Sequence, residues 1–157
     1  MPAEVLIDAV ADATGVPNDF GRVPRHRAVG QAMTAVRYGG GRPGYAMKIF
    51  GRPDREKTCD CERSNEPSVA QALYLINDQD VLAKLDDPSG RLPKLLKTIG
   101  DDRELITELY LATLSRFPSE RELELQRQYV EQAADRAAGM KEVLWTLLNV
   151  REFAFNH

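Results

Sequence analysis

Residues 140–148 read Met-Lys-Glu-Val-Leu-Trp-Thr-Leu-Leu and carry the widest apolar face in the chain. Asp135 stands where it can cap the start of a helix through this stretch, and Trp145 lies beside the apolar face. Gly139 costs such a helix on the order of 1 kcal/mol relative to alanine, which burial of the face can offset. The apolar residues recur at the spacing of one helix face and predict a packed helix: Met140, Val143, Leu144, Leu147 and Leu148.

Capping signals mark two further helices upstream. The pairs Asp101 with Glu104 and Ser119 with Glu122 have the spacing in which side chains reciprocally cap a helix start. The first helix should end near residues 116–117, because the proline that follows disfavours helical geometry in the residue before it. The second carries many charges, so we expect it on the outside of the fold with a narrow buried stripe: Leu123, Tyr129 and Val130.

Shorter helical segments complete the pattern. Residues 2–14 predict a helix that ends at Gly15, and residues 65–76 predict another that begins around Pro67. The sequence Asp-Pro-Ser-Gly at 87–90 predicts a turn between two short apolar segments. We therefore predict a mainly α fold, a bundle of five to seven helices with a long irregular, glycine- and arginine-rich N-terminal segment.

Composition fits one soluble domain with a modest core. The chain has 157 residues, of which 43% are hydrophobic and 29% are charged, so a small disulfide-stapled scaffold is excluded. No apolar run approaches the roughly 18 residues that a membrane helix needs. We divide the single domain into an N-terminal helix at 1–14, an irregular basic segment at 15–64 and a helical bundle at 65–157.

The irregular segment differs sharply in charge from the remainder. Residues 15–58 hold eight of the eleven glycines and carry nine basic residues against three acidic ones, a local charge of +6. The remainder must then carry −9, so the segment either lies on the acidic body or meets an anionic partner. A pI near 5.5 argues against nucleic acid. Anionic polysaccharide is an alternative partner, for which we single out Arg22, Arg25, Arg27 and Arg42.

Two cysteines separated by one residue form the most unusual local sequence. A zinc or other divalent metal site, or a redox pair of thiols, would use Cys59, Asp60, Cys61 and Glu62. A closed zinc site needs about four ligands, and the two histidines, His26 and His157, are distant in sequence. The simpler alternative is a structural role, as semi-buried side chains or as a disulfide that pins the segment. Arg63, with Glu62 and Glu66, predicts a structural ion-pair cluster at the following helix start.

Several strings together resemble one known family. They are Cys-Asp-Cys-Glu-Arg-Ser-Asn-Glu-Pro-Ser at 59–68, Gln-Ala-Leu at 71–73, Glu-Leu-Tyr-Leu-Ala at 108–112, Leu-Ser-Arg-Phe-Pro at 114–118, and the ending at 144–157. This combination resembles the PSD-one domain of unknown function (DUF1553), found at the C-terminal end of large planctomycete-type proteins. The cysteine string and the final Asn156 and His157 correspond to recurrent family motifs of unknown role, and the ending that contains Trp145 adds to the specificity of the resemblance.

The resemblance implies a cellular location and a domain context, but no reaction. Family members are exported and frequently carry an N-terminal cytochrome c domain, so it implies a periplasmic or cell-surface location and makes a disulfide more credible. Any haem would belong to an upstream domain that this chain lacks, and Met1 would begin a fragment of a larger protein. No catalytic residues are established for the family, so we predict none. The leading hypothesis is a non-catalytic structural or interaction module that packs against its parent's upstream domains or another envelope protein.

Overall fold

The computed structural model describes residues 3–19 and 79–155, and within these ranges it contains seven α-helices and no strand. The predicted mainly α class is therefore confirmed. The predicted helix at 65–76 and residues 20–64 of the irregular segment lie outside the described residues. In chain order the helices are α1 (Ala3–Thr14), α2 (Gln79–Asp86), α3 (Arg91–Thr98), α4 (Asp102–Leu114), α5 (Glu120–Gln132), α6 (Arg136–Asn149) and α7 (Arg151–Phe155).

Helices α4 and α6 form the centre of the bundle. They pack against each other, α1 lies on α4, α2 and α3 lie on α6, and α5 and α7 each contact both. The apolar face predicted for α6 is confirmed, since all five of its residues are 2% exposed or less. Burial of this size is the main source of stability in such a bundle. The facing residues of α4 are equally buried: Leu105, Ile106 and Leu109.

The predicted capping signals are observed at the starts of three helices. The Asp101 carboxylate accepts the Glu104 N–H at 2.9 Å, and the Asp135 carboxylate accepts the Ala138 N–H at 2.8 Å. At α5 both halves of the capping box form, because the Ser119 N–H also donates to the Glu122 carboxylate at 2.8 Å. These bonds satisfy backbone donors that a helix start leaves without intrahelical partners.

Helix α4 ends slightly earlier than the sequence predicts. Its last residue is Leu114, and Ser115 adopts the left-handed conformation with φ 55°. The Ser115 N–H donates to the carbonyl of Leu111 at 3.2 Å, which closes the last turn. The chain therefore reverses before Pro118 rather than at it, and Arg116 follows directly after the reversal.

The buried stripe predicted for α5 is partly wrong. Leu123 and Val130 are buried, but Tyr129 is 47% exposed. Residues seven apart lie on the same side of a helix, whereas Tyr129 is one position, about 100°, away from Val130. Tyr129 instead shares its side with Leu125, which is 58% exposed. Two residues thus anchor α5 in the core, and two apolar residues face outward.

Helices α5 and α6 approach closely at Gly139. A Cβ atom at this position would lie 3.0 Å from the Val130 Cα and 3.0 Å from the Ala133 Cβ. Such distances are shorter than normal van der Waals contact, so only glycine fits without movement. The glycine that weakens α6 as an isolated helix therefore has a packing role against α5.

Candidate functional site

Arg116 holds together the turn between α4 and α5. Its guanidinium donates to both carboxylate oxygens of Glu122, at 2.8 and 3.0 Å, and to both oxygens of Glu152 on α7, at 2.8 and 2.9 Å. A fifth bond runs from Nη1 to the carbonyl of Phe117 at 3.1 Å. A guanidinium has five N–H groups, so this arginine is fully engaged. It joins the start of α5 to α7 and keeps no donor for a ligand.

Hydrogen bonding and burial within this cluster shift the pKa values of its residues. Bonds from Arg116, followed by the Ser119 N–H, lower the pKa of Glu122 from 4.5 to about 2. The bonds to Glu152 and Glu122 raise the pKa of Arg116. Burial raises the pKa of Tyr110, whose ring centroid lies 5.5 Å from the guanidinium carbon. At neutral pH the cluster is thus a paired cation and two anions, an arrangement suited to bracing helices.

Arg91 secures the C-terminal end of α1. Its Nε donates to the carbonyl of Ala13 at 3.0 Å, and Nη2 donates to the carbonyl of Asp12 at 2.9 Å. Carbonyls in the last turn of a helix lack intrahelical donors, and a cation there also suits the helix dipole. The chain then turns at Gly15, whose φ of +69° favours glycine.

Lys84 binds the segment that follows α1. Its ammonium donates to the carbonyls of Val16 and Pro17 at 3.0 and 2.9 Å, and the residue is only 7% exposed. Burial lowers the pKa of Lys84, and three nearby carboxylates oppose this shift: Asp80, Asp87 and Asp19. A buried lysine is a common catalytic group, but this one points its donors at backbone oxygens. It therefore acts as a clamp between residues 16–17 and α2.

A shallow groove lies between α2 and α6. It has a volume of about 190 Å³ and is lined by Leu82, Leu85, Asp86, Lys141, Glu142 and Trp145. The Lys141 ammonium and the Asp86 carboxylate pair across it at 2.8 Å. Ligand pockets are commonly about 300–1,000 Å³, so this groove is small and open by comparison.

The outward side of α5 is the most apolar exposed helix surface in the described part of the chain. We define the α5 outer face as Arg121, Leu125, Gln128, Tyr129 and Gln132, all of which are exposed. The acidic residues of α5 are all engaged in ion pairs: Glu120 with Arg103, Glu122 with Arg116, and Glu124 and Glu131 with Arg127. The face thus combines two apolar side chains with amides and a single charge.

Of the residues that the sequence singled out as a site, Trp145 alone lies in the described ranges. It is partly buried at the wall of the groove, and its carbonyl accepts the Asn149 amide at 2.8 Å. The others lie outside the described residues: Cys59, Asp60, Cys61, Glu62, Arg63, Glu66, Arg22, Arg25, Arg27, Arg42, Asn156 and His157. The metal, thiol and polysaccharide hypotheses that depend on them stay predictions.

The described residues were also compared with the requirements of a metal site and of a membrane-spanning helix. Across 3–19 and 79–155, no group of three or more histidine, cysteine, aspartate or glutamate side chains is arranged to hold a metal ion. None of the helices in these ranges is long and apolar enough to cross a membrane. What these residues place together are contacts between helices and an exposed apolar face.

Sequence reasoning assigned no role to Arg116, Lys84 or Leu125. Lys84 had a usable signal, because it stands between Val81 and Leu85 at a position that faces the core. For Arg116 the sequence indicated only one of its two partners, since the predicted capping box already placed Glu122 at the same turn. Its second partner, Glu152, is 36 residues further along the chain, and no local pattern connects the two.

The comparisons with known proteins give one family. Residues 1–130 match PSD1, described as a protein of unknown function (DUF1553). The match includes the strings at 59–68, 71–73, 108–112 and 114–118, and it stops before the ending at 144–157. No curated protein and no solved structure gives a significant match. Since the match spans most of the sequence, this chain belongs to the PSD1 family of proteins of unknown function.

Proposed function

We propose that this chain is a non-catalytic structural and interaction module. The observation that carries the proposal is the α5 outer face, where Leu125 and Tyr129 are 58% and 47% exposed on a helix that otherwise carries mostly polar side chains. Exposed apolar side chains that lie together are typical of a surface that another protein covers. The fully engaged Arg116 and the clamped Lys84 support the same conclusion, because both act on the chain itself.

The partner and the location in this proposal rest on the family resemblance. It supports an exported protein in the periplasm or at the cell surface, and packing against upstream domains of the parent protein or another envelope protein. An oxidising compartment makes a disulfide at Cys59 and Cys61 more credible than free thiols, and a direct bond between the two would close a small strained ring. This element of the proposal is testable on the purified chain.

Elemental analysis with thiol titration separates the module from its main rival, a metal or redox site at Cys59 and Cys61. The chain is purified without chelator, beside a variant with Cys59→Ser and Cys61→Ser as the matched control. We expect no metal in stoichiometric amount and no thiol that reacts unusually fast below neutral pH. Stoichiometric zinc that the variant loses, or two rapidly reacting acidic thiols, would contradict a purely structural role.

A second candidate function is binding of anionic polysaccharide, which the local charge of +6 in residues 15–58 favours. It predicts retention on a sulfated polysaccharide column that weakens as salt increases. The discriminating variant changes Arg22, Arg25, Arg27 and Arg42 to alanine. Retention that is unchanged in this variant would dismiss these arginines as a binding site.

A further inference from the structure

We draw no further inference here: the strongest candidate, the shallow groove between α2 and α6 that Leu82, Leu85 and Trp145 line, is an open surface, and nothing in the structure shows what covers it.

Discussion

Helices α5 and α6 are neighbours of nearly equal length, 13 and 14 residues, that are held in the bundle in different ways. Six residues of α6 are buried, whereas only Leu123 and Val130 are buried in α5. α5 is held by its capping box, by Arg116 and by the close contact at Gly139. A central helix can thus be fixed by apolar burial, while an outer helix depends on its ends and on one close approach.

The largest expected effect contrasts a buried with an exposed leucine. Leu144→Ala in α6 should lower the free energy of unfolding by about 2–5 kcal/mol, because it opens a cavity at the centre of the bundle. Leu125→Ala in α5 should change it by no more than about 0.5 kcal/mol, since that side chain is mostly in solvent. Urea unfolding followed by circular dichroism measures both. Comparable losses of unfolding free energy in the two variants would show that the exposed residues of α5 stabilise the fold as much as the buried residues of α6 do.

The next effect concerns the contact between the two helices. Gly139→Ala places a methyl group 3.0 Å from the Val130 Cα, and the strain should outweigh the gain in helix propensity. We expect a net loss of about 1–2 kcal/mol in unfolding free energy.

Gly100→Ala is the matched control for this change. Gly100 has open space around its Cα and no positive φ, so alanine there should be neutral or stabilise by up to about 1 kcal/mol. Thermal melting of the two variants would measure the difference. Equal melting temperatures would mean that α5 can move away from α6 without cost.

The sequence predicted the parts of the fold that depend on short-range patterns. The apolar face of α6 repeats every three or four residues, and each capping signal at Asp101, Ser119 and Asp135 involves residues three apart, so both are visible in one stretch of chain. It was harder to predict which residues of α5 are buried, because its apolar residues lie on two sides of the helix. Spacing alone does not say which side contacts α4. Tyr129 was assigned to the wrong one for this reason.

The polar clusters could not be predicted in the same way. Arg116 meets Glu152 from 36 residues away, and Lys84 meets the carbonyls of Val16 and Pro17 from 68 and 67 residues away. Such contacts depend on how helices pack, which periodicity within one helix does not encode. The α5 outer face could be predicted only in part, because its residues are close in sequence but their exposure depends on how α5 packs.

The smallest expected effect tests whether the start of α5 depends on charge. The folded-state pKa of Glu122 is about 2 against an ordinary value of 4.5, so its ion pair stabilises the fold fully above about pH 4.5 and is lost as pH falls towards 2. Glu122→Gln should therefore cost on the order of 1 kcal/mol or less at pH 7, because the pair is partly exposed. The difference from wild type should shrink over the same acidic range.

Glu142→Gln supplies the control within α6. Glu142 is exposed and makes no ion pair with the described residues, so its substitution should change stability little at any pH. Urea unfolding at pH 7, 4 and 3 would compare the two variants with wild type. A Glu122→Gln variant as stable as wild type at every pH would assign the contribution of residue 122 to the uncharged half of the capping box, which glutamine also forms. In that case α5 would be held by its backbone cap and the contact at Gly139 rather than by Arg116.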